Sequence, residues 1–144
     1  MAPVVHSAGN RVHGSGRTCP YLRGMDPRRE TGERGEDLAA NYLTRRGWEV
    51  LERNWRTAAG ELDLVCRDPE GVVVACEVKA RRGRGWGSPL EAITHDKAVR
   101  LRRLAAAWAR SQAVPVPSLR VDALGVLWHP DGTASVQHVR GIEP

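Results

Sequence analysis

The hydrophobic and polar residues of this chain follow two periods, one helical and one typical of strands. Apolar residues recur at helical spacing over residues 32–46 and again over 88–111. Shorter apolar or alternating runs bounded by turn residues predict strands. The predicted strands are 48–55, 61–67, 72–79, 119–128 and 133–139. The predicted order is therefore αβββαββ.

The second predicted helix carries a single charge on its apolar face. Its start is marked by Ser88 as a cap, Pro89 at the first helical position and Glu91 at the capping-box position. Its stripe consists of Ile93, Lys97, Leu101, Leu104 and Trp108. Lys97 either extends past its apolar neighbours to solvent, which is the commoner arrangement, or reaches a functional site.

The N-terminal residues 1–30 differ from the rest of the chain. They hold Gly, Ser, Pro, Arg and His without a helical or strand period, which predicts a disordered basic tail. Met25 would serve equally well as a start. Residues 1–24 are therefore either an upstream translation artefact or a basic arm that touches nucleic acid. Residues 31–144 form the predicted domain.

Composition narrows the class of protein. A chain of 144 residues supports one domain with a moderate core. There is neither an apolar run of about 18 residues nor an apolar N-terminal segment, so we expect no membrane helix, no secretory signal and a cytoplasmic location. Three cysteines without paired spacing argue against disulfides and zinc, and Cys66 and Cys76 are expected to be reduced packing residues. The five histidines show no ligand spacing and receive no role.

The net charge of +5 fits a polyanionic partner. Residues 81–87, RRGRGWG, predict a flexible basic loop with one aromatic residue. Its arginines would contact phosphates and its tryptophan would stack on a base or sugar; the alternative is a solvated loop. The second helix extends this basic surface. The predicted nucleic-acid contacts are Arg81, Arg82, Arg84, Trp86, Lys97 and Arg100.

Acidic residues and a lysine interrupt two strands that are otherwise apolar. The segments are 60–65, GELDLV, and 76–79, CEVK. Carboxylates are poor strand formers and are costly to bury. Because side chains alternate along a strand, Glu61 and Asp63 share one face, as do Glu77 and Lys79. If Asp63 and Glu77 meet with Lys79 beside them, they form a hard-cation site suited to metal-assisted attack on a phosphodiester.

The turn between these strands sets their register. Residues 69–71, Pro-Glu-Gly, favour a three-residue loop, because Pro suits the first position of a type I turn and Gly the left-handed position after it. That loop places Asp63 opposite Glu77, and Glu61 opposite Lys79. A two-residue loop would turn Asp63 away from Glu77. The remaining alternative is a solvent-facing hairpin with cross-strand charge pairs.

Four motifs together resemble the YraN-like family of small bacterial proteins. They are GE at 35–36 with Ala39, GELDLV at 60–65, EVK at 77–79 and RVD at 120–122. The resemblance spans about residues 32–128. The family is similar to the PD-(D/E)xK nuclease superfamily, close to archaeal Holliday junction resolvases and restriction endonucleases. It implies a restriction-endonuclease-like three-layer α/β fold, with a mixed central β-sheet flanked by helices.

The resemblance also implies an active site. Asp63 and Glu77 match the two superfamily acids and metal ligands, and Lys79 matches the catalytic lysine. Glu36 matches a helix glutamate that joins the site in the resolvases. From the residues alone, Glu36 is equally well explained as a first-turn acid favoured by the helix dipole. Glu61, opposite Lys79, would tune the position of that lysine.

The implied activity is Mg²⁺- or Mn²⁺-dependent hydrolysis of DNA, with DNA a better candidate than RNA. No base-reading helix is evident, so selectivity for branched or junction DNA in repair or recombination is expected. Two-fold junctions would favour a homodimer. The alternatives are a non-catalytic nucleic-acid-binding module that keeps the nuclease fold and a subunit of a larger nucleoprotein assembly that is inert alone.

Overall fold

The computed structural model describes residues 27–83 and 88–142, together with the backbone of 4–5 and 12–13. In chain order its elements are β1 (Val4–Val5), β2 (Val12–His13), α1 (Pro27–Thr44), β3 (Glu49–Thr57), β4 (Gly60–Arg67), β5 (Val73–Arg82), a 3-10 helix (Pro89–Ala92), α2 (His95–Arg110), β6 (Leu119–Trp128) and β7 (Thr133–Val139). Among the described residues, no helix has the length and apolar character needed to cross a membrane.

The described strands form one mixed sheet. Its order is β1-β7-β6-β5-β4-β3, with β2 also paired to β7. β5 and β6 run parallel, whereas the other neighbouring strands are antiparallel. A parallel pair needs a crossover connection, and the segment containing α2 supplies it. The sheet and its helices confirm the predicted α/β class.

Hydrophobic residues are buried on both faces of the sheet. One face packs against α1, in a cluster that includes Leu38, Leu43, Leu64, Val74, Leu124 and Val126. The other face packs against α2, in a cluster that includes Leu62, Val65, Val73, Leu101, Leu104 and Trp108. The molecule thus has three layers, helix, sheet and helix, which is consistent with a nuclease-like fold.

α1 confirms the predicted apolar stripe but starts earlier than predicted. It begins at Pro27 rather than near residue 32, because Pro suits the first helical position and the first turns are too polar to show a period. It ends as predicted: Gly47 has φ 83°, and the Trp48 N–H donates to the Leu43 carbonyl at 3.1 Å. The buried stripe residues are Leu38, Ala39, Tyr42 and Leu43.

The prediction of one continuous helix over 88–111 is wrong. Ser88 does act as a cap, but for the 3-10 helix Pro89–Ala92. Thr94 then caps α2, its hydroxyl accepting the Lys97 N–H at 3.2 Å. Two adjacent β-branched residues disfavour a helix interior, and Thr is a good N-cap. The second cap therefore starts a separate helix.

Two hairpin turns in the described chain, between β4 and β5 and between β6 and β7, have the same chemistry. The Asp68 N–H donates to the Val72 carbonyl at 2.9 Å, and Gly71 has φ 88°. This confirms the predicted three-residue loop. Between β6 and β7, residues 130–132, Pro-Asp-Gly, form a second such loop, and Gly132 has φ 83°.

The predicted tail and basic loop are only partly covered by the described residues. Within the predicted tail, the short strands β1 and β2 pair with β7. Residues 1–3, 6–11 and 14–26 of the tail lie outside the described residues. The prediction that the loop starts at Arg81 is wrong. β5 continues through Arg82, because its parallel pairing with β6 extends to Trp128. Arg84 and Trp86 lie outside the described residues.

Candidate active site

Asp63 and Glu77 meet where β4 and β5 part. The ladder between these strands ends at Leu64↔Cys76, one pair short of the two acids. The next hydrogen bond is made by a side chain: Oδ2 of Asp63 accepts the Val78 N–H at 2.8 Å. The predicted register and the approach of the two carboxylates are therefore confirmed.

The regular alternation of side chains between the two faces of β4 is interrupted once, at Asp63. Leu62 and Val65 both pack on the α2 side, although residues three apart on a regular strand face opposite ways. On β3, Asn54 lies between the residues paired with Leu64 and Leu62, and its φ is 51°. Asn tolerates this left-handed conformation better than most residues. An Asn within a predicted strand was the available signal for this distortion, and the sequence reasoning missed it.

Both acids are buried: Asp63 is 7% exposed and Glu77 is 4% exposed. Burial, and then the Glu77 carboxylate, raise the pKa of Asp63 from 3.8 to about 7, against the lowering effect of the Val78 hydrogen bond. Two like charges buried together are unfavourable unless a cation compensates them. Near neutral pH the pair is thus poised to accept a positive charge.

Two ammonium groups contact the same oxygen of Glu77. Oε1 lies 3.2 Å from Nζ of Lys79 and 3.3 Å from Nζ of Lys97. Lys79 comes from the same strand, as predicted. Of the two alternatives for Lys97, the structure shows the one in which α2 delivers the ammonium to the site.

Glu36 lies near these acids on α1. Burial raises the pKa of Glu36, Arg53 opposes that rise, and Glu36 in turn raises the pKa of Asp63. Because α1 begins at Pro27, Glu36 lies well inside the helix, and its explanation as a first-turn acid is wrong. The preceding Gly35 permits this placement, since a Cβ there would overlap Ala80 of β5.

The site offers two carboxylates to an ion. Within the part of the chain that the structure describes, no three His, Cys, Asp or Glu side chains form a group that could hold a metal. Glu36 therefore does not complete a set with Asp63 and Glu77. Mg²⁺ is commonly held by one or two carboxylates together with waters and substrate phosphate. Asp63 and Glu77 fit that pattern, and a contribution from Glu36 through water stays a prediction.

The predicted role of Glu61 is wrong. Glu61 is exposed and lies 3.1 Å from Arg56, its register partner on β3. The predicted pairing with Lys79 required the β4–β5 ladder to continue past Asp63, but the ladder already ends at Leu64↔Cys76. Lys79 pairs instead with Glu77.

Arginines lie in the cleft that contains Glu36 and on α2, the helix that carries Lys97. A cleft of about 500 Å³ is lined by Glu36, Asn54 and several arginines. These arginines are paired with acids: Arg53 with Asp37 at 2.5 Å, and Arg56 with Glu61. On α2, the exposed arginines include Arg100 and Arg103. Arg102 instead donates to the carbonyl of Leu119 and helps to fix α2.

A second buried acid, Asp122, lies in a fully paired network. The Arg120 guanidinium donates to both of its oxygens, at 2.8 and 3.1 Å. Nε2 of His138 lies 2.8 Å away, and the Gly141 N–H donates at 3.0 Å. Burial alone would raise the pKa of Asp122, but these hydrogen bonds hold it below 3.8. Arg120 also reaches Asp68 at 3.2 Å, so the RVD motif links three parts of the fold.

Comparison with known proteins places this chain in a family. The model of an uncharacterised protein family, UPF0102, matches residues 35–126. A UPF0102 protein of Nocardioides is 49% identical over 111 residues, covering 77% of this chain and 89% of that protein. A UPF0102 protein of Streptomyces coelicolor is 48% identical over 120 residues, covering 82% and 92%.

Among solved structures, Pyrococcus furiosus SfsA in complex with Ca²⁺ aligns with 14% identity and a TM-score of 0.35, over 81% of this chain and 65% of that one. The sequence matches carry the assignment, because the family model covers well over half of the chain and includes each acid and lysine of the site. The YraN-like resemblance is confirmed, and the chain belongs to the UPF0102 family.

Proposed function

We propose that this protein is a metal-dependent endonuclease that hydrolyses phosphodiester bonds in DNA, with selectivity for branched or junction structures in repair or recombination. The observation that carries the proposal is the buried pair of Asp63 and Glu77, with two lysines on Glu77. A protein that needed only stability would not keep two acids together with the pKa of one raised to about 7.

Each side chain of the site has a distinct proposed role. Asp63 and Glu77 would hold Mg²⁺ or Mn²⁺, and the bound ion would lower the pKa of a coordinated water and polarise the phosphoryl oxygens. Lys79, 38% exposed at its side chain, reaches from the buried acid toward the open side of the site. It orients the attacking water or stabilises charge that develops on the phosphate. The Val78 N–H fixes the orientation of Asp63.

Basic residues support nucleic acid as the partner. Arg100 and Arg103 are exposed on α2, the helix that also delivers Lys97 to Glu77. Phosphate contacts of this kind position a duplex without reading its sequence. We therefore propose recognition of DNA structure, and a homodimer would present two such sites to a two-fold junction. We place this activity in the cytoplasm, where the buried free thiols Cys66 and Cys76 stay reduced.

One observation favours a second function, a non-catalytic nucleic-acid-binding module. Within the described residues the two carboxylates lack a third protein ligand. A binding module would need no ion, and its affinity for DNA would not depend on Asp63 or Glu77. The two functions can therefore be distinguished by testing whether the activity requires a divalent ion and these two acids.

A cleavage panel tests the proposal. The wild type is incubated with single-stranded, duplex, flap and four-way-junction DNA in Mg²⁺ or Mn²⁺. We expect cleavage that prefers branched substrates and is abolished by Glu77→Gln. Glu61→Gln is the matched control, because it removes an exposed carboxylate from the same end of β4 and should retain activity. If no substrate is cut with either ion, or if Glu77→Gln cleaves like the wild type, the nuclease proposal fails.

A further inference from the structure

We propose that Lys97 is a catalytic residue whose ammonium pairs with Glu77 in the absence of an ion and is released toward substrate phosphate when an ion binds. This inference rests on the proposed function and names the regulation of that same site. Its basis is the contact of Nζ of Lys97 with Oε1 of Glu77 at 3.3 Å.

The location of Lys97 is unfavourable for the helix that carries it. Thr94 caps α2, so Lys97 lies in its first turn, three residues after the cap. The N-terminus of a helix carries a partial positive charge and disfavours cations. Lys97 also lies on the stripe that continues through Leu101 and Leu104 into the core. A charge placed against both preferences points to a role at the site it reaches.

The electrostatics of Glu77 explain what holds Lys97 there. The Glu77 side chain is 5% exposed, and a buried carboxylate is costly unless it is compensated. Lys79 and Lys97 both contact Oε1 and supply that compensation without an ion. Among the described ion pairs, none involves Oε2 of Glu77. The lysines thus supply, at Oε1, the positive charge that a divalent cation would supply.

An incoming ion must compete with these ammonium groups. Lys79 is fixed two residues from Glu77 on the same strand, whereas Lys97 belongs to a separate element, α2. The Lys97 side chain is 33% exposed, so its ammonium has a path to solvent. When an ion neutralises Glu77, Lys97 is repelled and becomes available to a phosphate lying along α2, beside Arg100. Ion binding and substrate contact are thereby coupled.

Calorimetric titration with Mn²⁺ tests the first half of this proposal. Lys97→Met keeps the apolar stem and removes the competing charge, so we expect about three- to tenfold tighter Mn²⁺ binding. Arg110→Met is the control, because it removes the same charge from an exposed position of α2 that makes none of the described ion pairs. It should leave the affinity unchanged.

Glu77→Gln in the same titrations separates the two proposals. Loss of binding in Glu77→Gln with unchanged or weaker binding in Lys97→Met overturns the role of Lys97 and leaves the nuclease proposal standing. Undiminished binding in Glu77→Gln overturns both.

Kinetics test the second half. Lys97→Met should lower kcat on junction DNA by roughly 10- to 100-fold with little change in KM, as expected for a charge used mainly in the transition state. Lys97→Arg, which keeps the charge, should recover most of that decrease. A purely structural Lys97 would instead give wild-type kcat in Lys97→Met, or a decrease that Lys97→Arg does not relieve, and either result contradicts the proposal.

Discussion

The molecule buries two groups of acids and treats them in opposite ways. Asp122 has a partner at each oxygen, and its pKa is held below 3.8. Asp63 lies beside another acid, and its pKa is raised to about 7. Asp122 is 0% exposed and Asp63 is 7% exposed, so burial alone does not explain the difference. The difference comes from their partners: Asp122 contacts an arginine and a histidine, whereas Asp63 lies beside a glutamate.

This contrast indicates what each group is for. A network that satisfies every charge stabilises the fold, and the RVD network joins β6 to β7 and to the β4–β5 turn. The second group has lysines on only one oxygen of Glu77 among the described ion pairs, and in the proposed function its two acids bind a cation. The two motifs look alike in sequence, since each is an acid within an apolar strand. Only the residues that contact each acid in the folded protein distinguish the stabilising network from the candidate site.

The largest effect is expected at the paired network. Asp122→Ala leaves Arg120 and His138 facing a buried gap, and breaking a buried ion pair from one side costs about 3–5 kcal/mol. Urea unfolding at pH 7 would measure the decrease in stability. A decrease below about 1 kcal/mol would contradict the structural role of this network.

The pH dependence of stability separates the two groups. Asp63 holds its proton in the folded protein up to about pH 7, whereas the unfolded chain releases it near 3.8. Between these values the unfolded state binds fewer protons, so the free energy of unfolding falls as pH rises, by at most about 4 kcal/mol. Asp122 acts oppositely: its contribution is present above 3.8 and is lost as pH falls through its lower folded pKa.

Asp63→Asn is the variant that isolates this effect. It should flatten the stability profile between about pH 4 and 7 and make the protein as stable as the wild type, or more stable, at pH 8. Thermal unfolding across pH gives the profile. A profile in Asp63→Asn parallel to that of the wild type would show that Asp63 titrates normally.

The smallest expected effect is on the salt dependence of DNA binding, which tests whether DNA lies along α2. Changing Arg100 and Arg103 to Gln should flatten the slope of log affinity against log salt by about 0.9 for each DNA phosphate that these arginines neutralise in the wild type. Arg45→Gln is the control, because it removes an exposed arginine beyond the end of α1. Filter binding across salt measures the slopes. Equal slopes in all variants would place the DNA elsewhere.

The parts of the site that follow from the turn between β4 and β5 were predictable from the sequence. The Pro-Glu-Gly turn fixes the register, and the register brings Asp63 to Glu77. The parting of β4 and β5 beyond Leu64↔Cys76 was not predictable from that turn. The same stretch of β4 lies opposite the left-handed Asn54 of β3. The error over Glu61 arose because the predicted ladder was extended through this irregular stretch.

The contact of Lys97 with Glu77 depends on tertiary packing. The stripe on α2 identified Lys97 as unusual, but its partner lies 20 positions earlier on another element. The role of His138 is likewise long-range, since its ring packs against Tyr42 and Trp48 and its nitrogen meets Asp122. Spacing rules look for neighbouring ligands and do not find such pairs.

The most direct test of the contrast is Mn²⁺ binding by calorimetry in three proteins. If Asp63 and Glu77 are the ligands of a cation, the wild type and Glu61→Gln bind Mn²⁺ with the same affinity, and Asp63→Asn does not bind. Glu61 is the appropriate control because it lies two residues from Asp63 and is already paired with Arg56. Equal affinity in all three proteins would contradict the account, because the ion would then bind without the buried pair.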